Sequence, residues 1–239
     1  GTVRTVERKL GQDSNLVTEV DKRSEAMSRE RVRLKYPGHA ILGEESGGSI
    51  EGAETVWIID PLDGTTNFTH GLPIFCVSIG VQHRGELIAG VVYDPNLDEL
   101  FSAERGSGAF LNGRRLQVSQ TAELREGLLV TGFPYNIREN PFHAVEHFGA
   151  FLMEAQAVRR LGSAALDLCY VAAGRFDGFW EVALNSWDMA AGMLLVREAG
   201  GTVTDFRGNE MQVTGVDLLA TNGRIHEAMK EVLKRNLKG

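Results

Sequence analysis

Apolar positions come in short blocks along this chain, and their spacing changes about halfway. In the first half the blocks are β-branched runs cut by turn residues. Trp57-Ile58-Ile59 reads as a buried strand that stops at Asp60, because Pro61 has no N–H to give to a sheet ladder. The same pattern predicts strands over 40–42, 74–82, 87–93, 99–102 and Leu128–Thr131, with turns at 83–86, 94–97 and Asn112-Gly113. Residues 16–21 read as an extended piece ending in the acid Asp21. Residues 22–36 favour a helix, which Pro37-Gly38 closes. Residues 1–15 read as a polar loop or arm, and 47–54 as a glycine-rich loop.

Beyond these strands, helices alternate with strands. Helices are expected over 141–155, from the 162–165 segment to residue 173, over 187–199 with Ser186 as N-cap and Gly200-Gly201 as the stop, and over 225–237. Strands are expected at Gly178–Val182, at Val203 and over 218–220. Strands first and alternation afterwards predict a mixed α/β (α+β) fold. Its two intimate halves would be 1–130 and 131–239, joined in one compact unit.

Composition narrows the function classes. The chain has 239 residues, 43% of them hydrophobic, enough for a sizeable core. Mean hydropathy is -0.14 and no apolar run could span a bilayer, so no membrane role is expected. A formal charge of -7 argues against electrostatic attraction to nucleic acid. Arg29, Arg31, Arg33 and Lys35 would spread around a helix, which suits a solvated face better than an RNA site. The two cysteines, Cys76 and Cys169, sit in apolar settings and read as buried thiols of a cytoplasmic protein. No signal peptide is visible. The chain opens at Gly1-Thr2 without a methionine, which leaves room for residues upstream.

The chemistry concentrates where the central strand ends. Asp60 and Asp63 flank Pro61-Leu62, and Gly64-Thr65-Thr66 follows as a turn and helix start. Carboxylates hold hard cations, and bare N–H groups at a helix start hold phosphate. Asp21, Glu44 with Glu45, and Asp188 also stand at predicted element ends. Such a cluster repels itself unless cations fill it. The histidines are scattered and the cysteines isolated, so oxygen-only ligation points to Mg²⁺ or Mn²⁺ rather than zinc. Glu181 follows Phe179-Trp180 on a strand, an odd place for a solvated acid and a reasonable one for binding a hydroxyl. A D-x-D-G-T aspartyl-phosphate mechanism would need an aspartate at 61, where Pro61 stands. There is no G-x-x-x-x-G-K-[ST] for a nucleotide triphosphatase.

Three motifs carry a family resemblance: Gly43-Glu44-Glu45-Ser46; the twelve residues from Trp57 through Asp60-Pro61-Leu62-Asp63-Gly64-Thr65-Thr66 to Phe68; and Trp187-Asp188-Met189-Ala190-Ala191-Gly192 with Glu198-Ala199-Gly200-Gly201. In this order they resemble the inositol monophosphatase family. Gly162-Ser163-Ala164-Ala165-Leu166-Asp167 and Phe133-Pro134 resemble its bacterial branch.

The resemblance implies a layered α-β-α-β-α sandwich, a homodimer, a requirement for two or three Mg²⁺ ions, and inhibition by Li⁺. It implies a first metal held by Glu44, Asp60 and the carbonyl of Leu62. A second would be bridged by Asp60 and completed by Asp63 and Asp188, with Glu45 in support. The N–H groups of Gly64 and Thr65 would bind phosphate, and Thr65 paired with Asp21 would position the attacking water. Gly162, Ser163, Ala164 and Glu181 would contact the alcohol part of the substrate. Glu44, Leu62, Asp63 and Asp188 would also border it. Two departures stand out: almost nothing precedes the 16–21 segment, where the family has a helix, and Asn15 stands where an acid is common.

The expected activity is Mg²⁺-dependent hydrolysis of a small phosphorylated polyol, foremost inositol 1-phosphate, by two-metal activated water attack. Fructose 1,6-bisphosphatase or 3′-phosphonucleotidase activity is the rival within the superfamily. The rival of another class is a partner of the transcription machinery, with Arg29 to Arg33, Arg159 and Arg160 as the surface to test.

Overall fold

The computed structural model describes residues 6–8 and 16–236. The chain opens with β1 (Val6–Arg8) and β2 (Leu16–Thr18), paired antiparallel. A strand therefore stands inside the expected arm. The rest of that arm, Asn15 included, lies outside the described residues.

Helix α1 (Glu19–Lys35) starts three residues earlier than the sequence suggests. The cause is local. Thr18 accepts from the N–H groups of Val20 and Asp21, and the Asp21 carboxylate accepts from the Thr18 N–H at 2.9 Å, closing a capping box. Asp21 thus sits in the first helical turn and does not end an extended segment.

Seven strands follow as one sheet: β3 (Ala40–Gly43), β4 (Thr55–Asp63), β5 (Cys76–His83), β6 (Glu86–Asp94), β7 (Glu99–Glu104), β8 (Gly108–Leu111) and β9 (Arg114–Arg115). Only β3 and β4 run parallel. The short helix α2 (Thr65–Thr69) leaves the end of β4.

The second half supplies β10 (Leu128–Thr131), α3 (Ala144–Glu154), β11 (Ala157–Arg159), α4 (Ala164–Ala172), β12 (Gly178–Val182), α5 (Ser186–Glu198), β13 (Thr202–Thr204), β14 (Asp217–Thr221) and α6 (His226–Asn236). Its five strands form a mixed sheet in the order β11-β10-β12-β14-β13. Helix α3 begins later than expected because Phe142 and His143 take left-handed angles, φ 54° and 56°, which interrupt a continuous helix. Asn185, not Ser186, holds the N-cap of α5.

The layers stack as expected, α-β-α-β-α. Helix α1 lies on β4, α4 and α5 fill the space between the sheets, and α3 and α6 cover the far side of the five-stranded sheet. Ile58, Phe101, Leu166, Leu168, Met189 and Leu195 are fully buried in the inner core. Each such side chain contributes about 1.5–3 kcal/mol by leaving water. A second core joins Leu129, Phe151, Trp180, Leu219 and Leu233. Helix α5 presses hard on the large sheet: a Cβ on Gly80 would lie 2.7 Å from Ala190 Cβ, and one on Gly90 3.0 Å from Ala191. Ala190 and Ala191 permit that approach, while Gly192 makes room for Leu168 of α4, and the contact fixes where the N-terminus of α5, with Asp188, meets the end of β4. Among the described residues no helix is long and apolar enough to cross a membrane. Both cysteines are buried free thiols.

Candidate active site

The central strand does not stop at Asp60. It runs on to Asp63, which pairs with Cys76 after a register shift between Asp60 and Asp63. Pro61 is tolerated because it falls in this bulge, where no ladder N–H is required. Its carbonyl accepts from Ser24 Oγ at 2.9 Å, tying the bulge to α1. The bulge places Asp60 and Asp63 beside one pocket. Gly64 then turns the chain at φ 95°, where a Cβ would also meet the Ile74 carbonyl at 2.7 Å.

A cavity of about 700 Å³ opens here. Glu44, Asp60, Leu62, Asp63, Gly64, Thr65, Gly162, Ser163, Ala164, Glu181 and Asp188 all line it. Residues expected from five separate stretches therefore meet. Asp21 stands behind the pocket wall, where its Oδ1 accepts from Thr65 Oγ1 at 3.1 Å. The N–H of Glu44 donates to the Ile59 carbonyl at 3.2 Å, which sets its turn beside Asp60.

Asp63 is held by two short hydrogen bonds. Ser163 Oγ at 2.6 Å and the Ala165 N–H at 2.7 Å both donate to its Oδ2. Ser163 therefore spends its hydroxyl on Asp63. Asn67 braces the same corner by donating to the Ile74 and Leu161 carbonyls at 2.9 and 2.8 Å. At the start of α5, the Asn185 N–H donates to Asp188 Oδ2 at 2.6 Å.

Burial pushes the Asp60 carboxyl well above its usual range, and Glu44, Asp63 and Asp188 push it further the same way. Burial also raises Asp63, against the opposing bonds from Ser163 and Ala165. Asp188 is pushed up to about 8 by burial and then by Asp63. Glu181 is well raised by burial, then by Asp188 and Asp63. Buried acids crowded in this way favour a cation that displaces their protons.

The donor set suits a hard divalent ion: oxygens alone, from Asp60, Asp63, Glu44 and Asp188. The hydrogen bonds of Asp60 end on Oδ1, and those of Asp63 and Asp188 on Oδ2, so one oxygen of each is occupied. Among the described residues no trio of acids, histidines or cysteines is drawn into a closed metal cage. The acids border one cavity without closing a cage, and Mg²⁺ is an ion that keeps waters and substrate oxygens in its shell.

Several lining residues were not singled out from the sequence. Tyr135 and Asn136 come from the loop after β10. Only the neighbouring Phe133-Pro134 motif marked that stretch, whereas Asp167 and Trp187, which also line the cavity, stand inside motifs read from the sequence. Arg160, expected on a partner surface, lines the cavity, while Arg159 does not. Arg29, expected on a solvated face, is only 17% exposed and lies 3.6 Å from the buried Glu25.

A five-layer α-β-α-β-α sandwich with an acidic, oxygen-lined pocket at the end of its central strand is the architecture of a phosphatase. The inositol monophosphatase family model matches residues 2–238, and the chain belongs to that family. It is 44% identical to an inositol-1-monophosphatase of Rhizobium meliloti, over 98% of this chain and 89% of that protein. It is 48% identical to the Nus factor SuhB of Pseudomonas aeruginosa, over 92% of this chain and 83% of that protein. The crystal structure of the extragenic suppressor protein suhB from Bartonella henselae superposes with a TM-score of 0.91 at 42% identity, covering 98% of this chain and 90% of that one.

Proposed function

We propose that this phosphatase hydrolyses inositol monophosphate, myo-inositol 1-phosphate foremost, to inositol and phosphate, and that it needs Mg²⁺. One observation carries the reading: Glu44, Asp60, Asp63 and Asp188 border one cavity, where burial and then the neighbouring acids raise the proton affinity of Asp60 and Asp188. Relatives named inositol-1-monophosphatase support the substrate class.

In this reading Glu44, Asp60 and the Leu62 carbonyl would hold a first Mg²⁺, and Asp60, Asp63 and Asp188 a second, with Glu45 in support. Mn²⁺ could substitute. Bound there, the ions would neutralise phosphate charge, acidify a water and stabilise the leaving alkoxide. The protein's own groups do the rest. The N–H groups of Gly64 and Thr65 face the phosphate. Thr65 Oγ1, its proton drawn toward Asp21, orients the attacking water. Gly162, Ala164 and Glu181 border the polyol, with Ser163 acting through Asp63. The parts come from both halves of the chain, 1–130 and 131–239, which we read as one working unit.

Phosphate release from inositol, sugar and nucleotide phosphates, each with and without Mg²⁺, tests the proposal. A preference for fructose 1,6-bisphosphate or a 3′-phosphonucleotide would replace the substrate, and equal rates in chelator would remove the metal. Li⁺ at tens of millimolar is expected to inhibit.

A second, non-catalytic role has one specific support: relatives at 47–48% identity carry the name Nus factor SuhB. We read the protein as a cytoplasmic homodimer, and the relatives' name suggests that it also joins a transcription complex. Retrieval of transcription proteins from extract at moderate salt, together with the mass of the free protein in solution, tests it.

A further inference from the structure

Helix α1 buries an unusual face. Its buried residues are Asp21, Glu25 and Val32, while Val20, Met27 and Leu34 are exposed. Two carboxylates one helical turn apart do what apolar residues do on most amphipathic helices. Asp21 reaches Thr65. Glu25, 2% exposed, reaches a different segment, the turn that carries Glu44.

The Glu25 carboxylate is fully engaged there. The Glu45 N–H donates to Oε2 at 2.8 Å, and the Ser46 N–H to Oε1 at 3.1 Å. Ser46 Oγ donates to Oε1 as well. Arg29, one turn further along α1, lies 3.6 Å from the same oxygen and donates to the Gly47 carbonyl at 3.4 Å. Gly43 makes room: a Cβ there would stand 2.5 Å from the Glu25 carboxylate. Paired bonds between Gly43 and Gly47 already close the turn, at 3.0 and 3.1 Å. Closing it therefore does not require a buried carboxylate, which is costly to desolvate. What Glu25 adds is a fixed position of the turn relative to α1, and through the Glu44 N–H to Ile59 bond, relative to β4 and Asp60.

We propose that Glu25 is a positioning residue whose carboxylate, held by the N–H groups of Glu45 and Ser46, fixes the Glu44 turn and thereby sets the pocket's affinity for its first divalent cation. This rests on the reading of Glu44 as a cation ligand. It assigns work to three residues of the Gly43-Glu44-Glu45-Ser46 motif that do not themselves touch the cation: Gly43 gives space, and Glu45 and Ser46 give N–H groups. It also makes α1 a single bar holding both the water-orienting Thr65 and the cation-facing Glu44.

The test is direct Mn²⁺ binding, read by the loss of the free Mn²⁺ paramagnetic resonance signal without substrate, on wild type, Glu25→Gln, Ser46→Ala and Glu44→Gln. Mg²⁺ activation of phosphate release and a thermal melt accompany each. Glu25→Gln is expected to weaken Mn²⁺ binding roughly tenfold, the usual effect of removing a group that orients a ligand. The Mg²⁺ needed for half-maximal rate should rise in parallel, and turnover at saturating Mg²⁺ should recover. Ser46→Ala should weaken Mn²⁺ binding by a smaller factor, and carries the test if Glu25→Gln fails to fold. If Glu44→Gln weakens Mn²⁺ binding while both other variants stay within twofold of wild type, the positioning role is overturned. If Glu44→Gln itself leaves Mn²⁺ binding unchanged, Glu44 is not a ligand and the proposal falls with that reading.

Discussion

Thr65 Oγ1 donates toward Asp21 Oδ1 at 3.1 Å, joining residues 44 apart in sequence. The Leu62 carbonyl stands 3.0 Å from the same hydroxyl, so two acceptors share one proton. Asp21 is committed in turn: its Oδ2 takes the Thr18 N–H of the α1 capping box. The acid is therefore fixed before Thr65 meets it, and the Thr65 oxygen is left with lone pairs to orient a water.

This arrangement separates two variants. Thr65→Ala is expected to lower turnover by roughly 10²–10⁴, the range of a general-base contribution, with near-normal substrate binding. Asp21→Asn should lose a similar factor and also about 1 kcal/mol of stability, because the capping box is disturbed. The double variant should be scarcely slower than either single one, since residues acting as a unit are not additive. Steady-state kinetics with melts decides the matter. Additive losses, or a melt shift without a turnover defect, would remove the Thr65–Asp21 pair from the mechanism.

Asp60 supplies a prediction of opposite signs. It is buried among Glu44, Asp63 and Asp188, so its charge costs stability when no cation is bound. Asp60→Asn should nearly abolish turnover and yet raise the melting temperature in chelator. Asp63→Asn should also nearly abolish turnover, but should not gain stability, because the start of α4 hangs from its Oδ2 through Ser163 and Ala165. Melts in EDTA and in excess Mg²⁺ check both. Equal stabilisation by the two substitutions would contradict the structural role of Asp63.

Glu181 is 8% exposed, lies near the end of β12 beside Trp180, and lines the cavity. Glu181→Gln should cost about 1.5–3 kcal/mol in kcat/KM for a polyol phosphate, the loss of one charge-assisted hydrogen bond. p-Nitrophenyl phosphate, which has no ring hydroxyls to lose, should be affected far less. A matching loss on both substrates would place the effect on phosphate or metal instead.

The sequence carried the architecture where a local rule had room to act. Trp57-Ile58-Ile59 reads as a buried strand because both faces of β4 are covered, by α1 on one side and the inner core on the other. The rule that proline ends a strand failed at Pro61, since a bulge absorbs it and nothing in the local sequence announces a bulge. Strands β8, β9 and β11 are two to four residues long, too short for a period to show. Thr18 and Asp21 do have capping-box spacing, but Leu16-Val17 before them gave the stretch an extended look. The site emerged because its acids fall at element ends. Glu25 did not, because its partners lie 20 and 21 residues away, across a sheet strand that local spacing cannot reach.

Two histidines give the last prediction. His226 stands between Thr204 and Thr221, with Nε2 3.0 Å from Thr204 Oγ1 and Nδ1 2.9 Å from Thr221 Oγ1. The Thr204 hydroxyl donates to the Asp205 carbonyl at 2.7 Å, so it accepts from Nε2–H, and Nδ1 is left to accept the Thr221 proton. A second proton on the ring would turn that acceptor into a donor, facing an oxygen that already takes the Gly223 N–H at 3.0 Å. Burial lowers His226 from its ordinary 6.5, and pushes the buried His147 on α3, set edge-on to Phe206, down to about 4. For a histidine with a depressed folded value the unfolded chain binds the extra proton, so stability is present above about pH 6.5 and is lost as pH falls. For His147 the limit is on the order of 3 kcal/mol. The acidic pocket titrates with the opposite sign in the same window, so the readout is the gap between wild type and variant. His226→Asn and His147→Leu should each be less stable than wild type at pH 7.5, and each gap should narrow as pH falls toward 5. Thermal melts across that range check it: a gap that stays constant would mean that the two imidazoles are protonated as readily in the fold as in water.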